Sequence, residues 1–369
     1  MNKKVLIALN AAWNLVNFRS GLIRALVGAG YDVVAVAPPD DYAIRLTELG
    51  CRYVPLPMDN KGTHPLRDAL LFWRFLRLLR QERPDCFLGY TVKPNVYGSL
   101  AAHSLGIPVV NNVAGLGTAF MTDGWLNRVV CGLYRLALSR SSKVFFQNDD
   151  DLKLFVERRL VKPDRTERLP GSGVDLEHFQ FHPLPERRQV VFLLIARLLW
   201  DKGVGEFVEA SRRIRARYPE ARFQLLGFLG AQNRTAIPEE TVRGWVDEGV
   251  IEYLGSVDDV RPYISNADCV VLPSYREGTP RSLLEASAMG RPIIATDVAG
   301  CREVVADETN GYLCRFRDAE SLTTQIDRFL SLPVEARRLM GLRGRQKVEQ
   351  EFDERLVVER YLHIIGRVV

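Results

Sequence analysis

The sequence predicts an α/β protein of two doubly wound parallel-sheet domains, and three observations carry that prediction. The chain has 369 residues, more than the roughly 250–300 over which a single hydrophobic core keeps growing. Short β-branched runs alternate with longer helical patterns along it, the mark of strand–helix–strand units. The alternation restarts after His182-Pro183-Leu184-Pro185-Glu186-Arg187-Arg188, where two prolines and a charge cluster interrupt it. We therefore expect domains over 1–181 and 182–369.

Taken in order, the first-domain strands are expected at Val5–Leu9, Val33–Ala37, Cys86–Leu88, Pro108–Val113 and Val144–Gln147. Helical patterns at Gly21–Gly28, Leu66–Glu82, Asn95–Ser104 and Leu126–Ser139 separate them. The second domain repeats the scheme with Val190–Ala196, Phe223–Leu226, Ile251–Leu254, Cys269–Leu272 and Pro292–Thr296, each followed by a helix candidate. Near-continuous apolar strands of this kind belong to sheets covered on both faces. From about Asp318 the sequence reads as helix to its end. Open α/β sheets bind ligands beyond the carboxyl ends of their strands, so functional residues are sought in the strand-to-helix loops, and the cleft between the domains is the expected active site.

Composition narrows the class. The chain is 47% hydrophobic, 26% charged and 9% aromatic, with mean hydropathy −0.08. These values exclude disordered and collagenous chains. The longest clean apolar run, Val190–Ala196, is seven residues, far below the roughly 18–20 that a membrane-spanning helix needs. Near the N-terminus, Val5–Leu9 is too short for a signal peptide and is followed at once by Asn10; it reads as the first strand of a cytosolic protein. Six cysteines without any C-x-x-C pair predict reduced, buried thiols rather than a disulfide framework or zinc site. The net charge of +5 is uneven: residues 1–181 carry 23 Lys and Arg against 17 Asp and Glu, and residues 182–369 carry 27 against 28. That excess is too mild for a nucleic-acid binder but suits a first domain that meets phosphates or anionic lipid.

Two motifs carry chemistry. Ser274-Tyr275-Arg276-Glu277-Gly278-Thr279-Pro280-Arg281-Ser282-Leu283-Leu284-Glu285 follows the strand Cys269–Leu272 and opens a helix. It places Glu277 in a loop at the strand's carboxyl end and Glu285 about one turn into the helix, whose first N–H groups can receive phosphate oxygens. Two carboxylates beside such a site can accept hydrogen bonds from sugar hydroxyls. The second motif, Ala196-Arg197-Leu198-Leu199-Trp200-Asp201-Lys202-Gly203, also joins a strand to a helix. Its two cations can converge on a diphosphate, Arg197 as a planar fork and Lys202 as a point charge. Asn148-Asp149-Asp150-Asp151 reads as an acidic helix start rather than a metal site. Gly171-Ser172-Gly173 is not a dinucleotide fingerprint, because Leu176 stands at the third glycine position.

Together these motifs resemble the retaining group 1 (family 4) glycosyltransferases of GT-B fold, over essentially the whole chain. Phe18-Arg19, Tyr90-Thr91-Val92-Lys93-Pro94-Asn95, Gly115-Leu116-Gly117 and Gly171-Ser172-Gly173-Val174-Asp175 resemble a narrower bacterial subgroup. Its members build O-antigen, capsule or N-linked oligosaccharide on undecaprenyl diphosphate. The resemblance implies two Rossmann-like domains facing across a cleft. The first would bind the acceptor and the second the nucleotide sugar, expected to be a UDP-sugar, and the last helix would cross back to the first domain. Arg197 and Lys202 would hold the donor diphosphate, Glu285 the ribose hydroxyls and Glu277 the donor sugar, with Gly278 and Thr279 in the same loop. Gly255-Ser256-Val257 would offer backbone contacts to the base, and Gly115 and Gly117 close approach to the donor sugar. Catalysis would rest on Arg197, Lys202 and Glu277, with no metal and no cofactor beyond the nucleotide-sugar substrate. Many relatives carry a catalytic-site histidine just after the strand equivalent to Pro108–Val113; here Ala114 fills that place, and His64 is the weak alternative base. The acceptor would be a polyprenyl-diphosphate-linked saccharide at the cytoplasmic face of the inner membrane.

Three rival readings differ in what they require. A sugar-nucleotide 2-epimerase of the same fold needs its own acid/base carboxylates and no lipid acceptor. A non-catalytic sugar-binding protein needs a secretion signal and no diphosphate pocket. A glycogen- or sucrose-type synthase leaves the basic first half without a purpose. A helical wheel over Leu66–Arg83 bears on that last point. One face gathers Leu71, Phe72, Phe75, Leu76, Leu78 and Leu79, and the other Arg74, Arg77 and Arg80 with Leu70 and Trp73 among them. The mixed face suits an anionic lipid surface.

Overall fold

The computed structural model describes residues 2–59, 64–115, 125–230, 233 and 235–369. They fall into two compact units, one of Met1–Ser172 with Glu354–Val369 and one of Gly173–Asp353. In the first, β1 (Lys4–Ala8), α1 (Ala12–Gly28), β2 (Asp32–Ala37), α2 (Ala43–Glu48), β3 (Arg52–Pro55), α3 (Pro65–Glu82) and β4 (Cys86–Tyr90) come first. A five-residue wide turn, Pro94–Gly98, then leads into α4 (Ser99–Ser104), β5 (Val109–Val113), α5 (Trp125–Leu138), β6 (Lys143–Phe146), α6 (Asp149–Glu157) and β7 (Thr166–Arg168). The sheet order is β3-β2-β1-β4-β5-β6-β7, with every pair parallel.

The second unit runs β8 (Val191–Ile195), α7 (Val204–Arg215), β9 (Arg222–Leu226), α8 (Glu239–Asp247), β10 (Glu252–Tyr253), α9 (Arg261–Ser265) and β11 (Cys269–Leu272). It continues with α10 (Arg281–Ala288), β12 (Ile293–Thr296), α11 (Cys301–Val304), β13 (Gly311–Cys314), α12 (Ala319–Leu330) and α13 (Val334–Glu351). Its parallel sheet has the order β10-β9-β8-β11-β12-β13. The last helix, α14 (Glu354–Val368), counts with the first unit.

Alternation along the strands explains the layers. Val5 and Ile7 face Leu15, Leu22 and Leu26 of α1 and Val357, Tyr361 and Ile365 of α14, while Leu6 and Ala8 face Leu71, Phe75 and Leu79 of α3. In the second unit Phe192 and Leu194 meet Phe207 of α7 and Phe329 of α12; Leu193 shares the opposite face with Leu283 and Leu284 of α10.

The units divide at Ser172/Gly173, ahead of the proline-rich interruption at 182–188. The intervening segment packs on the second unit. Val174 N–H donates to the Phe352 carbonyl at 2.9 Å, and Phe179 lies in the second core. The buried Arg291 guanidinium donates to the carbonyls of His182 and Pro183. The two prolines thus mark a loop docked on its own unit. Three strands were not expected from the sequence: β3, β7 and β13. Each lies at or beside a sheet edge, where β3 and β7 show no fully buried residue and β13 opens on glycine. The helical stretch expected after Asp318 is three helices, parted at Pro333 and around Asp353.

Candidate active site

Sheet order reverses direction between β8 and β11, so the loops that follow these strands meet at the topological switch point where doubly wound sheets bind ligands. The two motifs singled out by sequence occupy those loops. The Asp201 carbonyl accepts the Tyr275 N–H at 2.8 Å and the Ser274 hydroxyl at 3.2 Å. Gly203, at φ 71°, lies so close to this loop that a Cβ there would stand 2.0 Å from the Pro273 carbonyl oxygen. Only glycine accommodates both the left-handed backbone and the contact. On the other side Gly300, at φ 78°, presses on the loop in the same way, its imaginary Cβ 2.0 Å from the Gly278 carbonyl oxygen. The Thr296 hydroxyl donates to the Ser274 carbonyl. The Glu277 loop is thereby wedged between two neighbours.

Within this frame Lys202 Nζ lies 2.5 Å from Glu277 Oε1, with side chains 20% and 12% exposed. Arg197 is exposed and, among the described residues, makes no ion pair or side-chain hydrogen bond. Glu285, one turn into α10, accepts from Arg281 Nε at 2.8 Å. Burial pushes the Glu285 carboxyl above the usual carboxylate range, and the Arg281 charge opposes that shift. Gly278 and Thr279 are half-buried beside Glu277. Gly255, Ser256 and Val257 follow β10; the Gly255 carbonyl accepts the Gly227 N–H at 2.8 Å and Ser256 is exposed. Arg197, Lys202, Glu277 and Glu285 thus all sit at the carboxyl end of one sheet. Sequence reading does not single out the partner of Glu285, Arg281, although it lies four residues before it on the same helix.

Tyr275 was likewise not singled out. Its hydroxyl donates to Glu206 Oε1 at 2.6 Å, and burial, aided by Glu206, pushes it up to about 12. It fastens the Glu277 loop to α7. All six cysteines are free thiols, five buried and Cys131 half-buried; burial raises Cys51 to about 11 and Cys86 to about 12. Among the described residues no cluster of His, Cys, Asp and Glu could hold a metal ion. Asn148 caps α6 by accepting the Asp151 N–H at 2.8 Å.

In the first unit, Ala114 and Gly115 directly follow β5, with Gly115 at φ 145°; Gly117 lies outside the described residues. His64 is exposed at the start of α3, where its carbonyl accepts the Asp68 N–H at 3.0 Å. Two of the subgroup motifs meet inside the unit, at Arg19 and Tyr90. Arg19 is 5% exposed, its guanidinium 4.4 Å above the Tyr90 ring. Asn112 donates to the Tyr361 hydroxyl at 2.9 Å. Lys93 pairs with Asp68 of α3 at 2.9 Å. Exposed Leu66, Leu70 and Trp73 accompany Arg67, Arg74, Arg77 and Arg80 on α3. A cavity of about 210 Å³ opens beside it, lined among others by Arg67, Leu70, Arg74 and Lys93. No helix among the described residues is long and apolar enough to cross a membrane.

Comparison with known proteins places these features. Residues 17–171 match the model of a glycosyl transferase 4-like domain and residues 189–331 that of glycosyl transferases group 1. The chain is 27% identical to the N,N'-diacetylbacillosaminyl-diphospho-undecaprenol alpha-1,3-N-acetylgalactosaminyltransferase of Campylobacter jejuni, over 98% of this chain and 97% of that one. It is 26% identical to the UDP-Gal:alpha-D-GlcNAc-diphosphoundecaprenol alpha-1,3-galactosyltransferase of Escherichia coli, over 75% and 72%. Among solved structures, sucrose-phosphate synthase from Thermosynechococcus elongatus superposes with a TM-score of 0.82 at 20% identity, covering 100% of this chain and 99% of that one. The Anabaena Alr3699/HepE complex with UDP-glucose follows at 0.80 and 16%, covering 99% of each. At such identities the structural likeness speaks for the fold alone, the two-domain GT-B arrangement of parallel sheets.

Proposed function

Because the chain belongs to the group 1 glycosyltransferases, we propose that it moves a hexose or N-acetylhexosamine from a nucleotide sugar, taken to be a UDP-sugar, onto a saccharide carried on undecaprenyl diphosphate. The observation that carries this reading is the meeting of Lys202 and Glu277 at the switch point of the second sheet, with Arg197 beside them in sequence. Arg197 and Lys202 neutralise the diphosphate as it leaves, as cations held where the negative charge develops. Glu277 accepts hydrogen bonds from the transferred sugar and Glu285 from the ribose. The anomeric configuration is retained: the leaving phosphate helps deprotonate the acceptor on the same face, which needs no histidine where Ala114 stands. The cations take the place of a metal at the diphosphate.

The first unit takes the acceptor. The exposed Leu66, Leu70 and Trp73 among arginines on α3 suit residence at an anionic lipid surface, where apolar side chains enter the interface and guanidinium groups meet headgroups. That surface supports the reading of a peripheral enzyme at the cytoplasmic face of the inner membrane. The test is a panel of nucleotide sugars with polyprenyl-diphosphate saccharides, products read by mass and linkage by NMR, in EDTA. Transfer of one sugar with retention is expected. Transfer only to soluble acceptors, an inverted linkage, or a metal-restorable loss in EDTA would each overturn the corresponding part of the reading.

A further inference from the structure

Arg281 stands where helix electrostatics disfavours it. It is the first residue of α10, at the positive end of the helix dipole, where anions are stabilised and cations are not. It also precedes Glu285 by four residues, the less favourable order for a helical ion pair. The pair nevertheless forms, Arg281 Nε to Glu285 Oε1 at 2.8 Å, with side chains only 17% and 13% exposed. Withdrawing both groups from water carries a desolvation cost that a partly buried pair scarcely recovers. Helix electrostatics disfavours this arrangement, and its partial burial adds a desolvation cost.

We propose that Arg281 is a positioning residue for the nucleotide's ribose. It keeps the Glu285 carboxylate ionised and fixes one of its oxygens, leaving the other to accept from the 2′ and 3′ hydroxyls, without itself touching the nucleotide. The direction of the Glu285 shift agrees: burial favours the protonated acid, which would spend an acceptor as a donor, and Arg281 is the charge acting against it. The proposal rests on the reading of Glu285 as the ribose ligand and adds to it the residue that makes the carboxylate competent.

The test compares UDP with 2′,3′-dideoxy-UDP by calorimetry on the whole chain. Arg281→Gln is expected to weaken UDP about ten-fold or more, the worth of a charge-assisted hydrogen bond, and to leave dideoxy-UDP binding unchanged; Arg281→Lys should restore part of the loss. An equal loss for both probes would put Arg281 on the phosphates or the base, and no loss for either would leave it without a role in binding. Both outcomes overturn the proposal. Glu285→Gln is the separate control. If it weakens both probes alike or neither, the ribose reading of Glu285 fails instead. If it weakens only UDP while Arg281→Gln does nothing, Glu285 keeps its role and Arg281 loses the one proposed. A misfolded variant would lose both probes together with its thermal transition, which the unaltered dideoxy-UDP binding excludes.

Discussion

Lys202 and Glu277 are each other's counter-ion at 2.5 Å, so a diphosphate that engages Lys202 competes with Glu277 for it. Two effects of substitution follow. Arg197→Ala and Lys202→Ala should each weaken UDP by about 1.5–3 kcal/mol, the range for hydrogen bonds to charged groups; unchanged calorimetric affinity in both would remove the diphosphate pocket. On the proposed reading, in which Glu277 holds the transferred sugar, Glu277→Gln should depress turnover without weakening UDP, because its hold on Lys202 is relaxed. A UDP affinity that falls in step with turnover would assign Glu277 to the nucleotide. At this scale the sequence was informative wherever chemistry and spacing coincide: cations five apart after a strand, carboxylates eight apart around a helix start. It was silent on Gly203 and Gly300, because closeness to Pro273 and Gly278 arises only when separate loops pack.

For α3, the apolar periodicity separated core from surface. Leu71, Phe75, Leu76, Leu78 and Leu79 are buried, while Trp73 is 60% and Leu70 50% exposed. An exposed tryptophan flanked by arginines is expected at a lipid interface, where each Lys or Arg adds roughly 1 kcal/mol. Replacing Arg74, Arg77 and Arg80 together with Gln should abolish most sedimentation with anionic liposomes at low salt and spare UDP binding. Equal sedimentation of wild type and variant would return this face to ordinary solvent. Arg74 also donates to the Pro57 carbonyl at 2.7 Å, so a thermal melt of the variant should accompany the assay. Central strands were legible as apolar runs because both their faces are buried. The edge strand β3 was not, since its burial pattern gives a mixed sequence that turns and edges share.

The first unit is not one stretch of chain. Its core is completed by Val357, Tyr361 and Ile365 of α14, and Asn112 donates to the Tyr361 hydroxyl. Loss of residues 354–369 should therefore loosen the first sheet and spare the second. Hydrogen exchange read by mass spectrometry should rise in α1, β4 and β5 and stay level in β8, β9 and β11; a uniform rise would mean that the two units melt together. The interruption in the sequence at 182–188 and the division between the units at Ser172/Gly173 do not coincide. Prolines mark where regular structure stops, whereas membership of a unit depends on which core a segment's side chains enter.

The position of α14 also sets an order of events during synthesis. Domains generally fold as the ribosome releases them, N-terminal first. Here the first unit is begun earliest, yet its core waits for the segment 354–369, made after the whole of the second. The second unit, continuous from Gly173 to Asp353, can finish while its elder neighbour still displays an open apolar groove under α1. A nascent chain stalled anywhere in between would carry a finished second unit and an unfinished first one, a species that chaperones and proteases would recognise as incomplete.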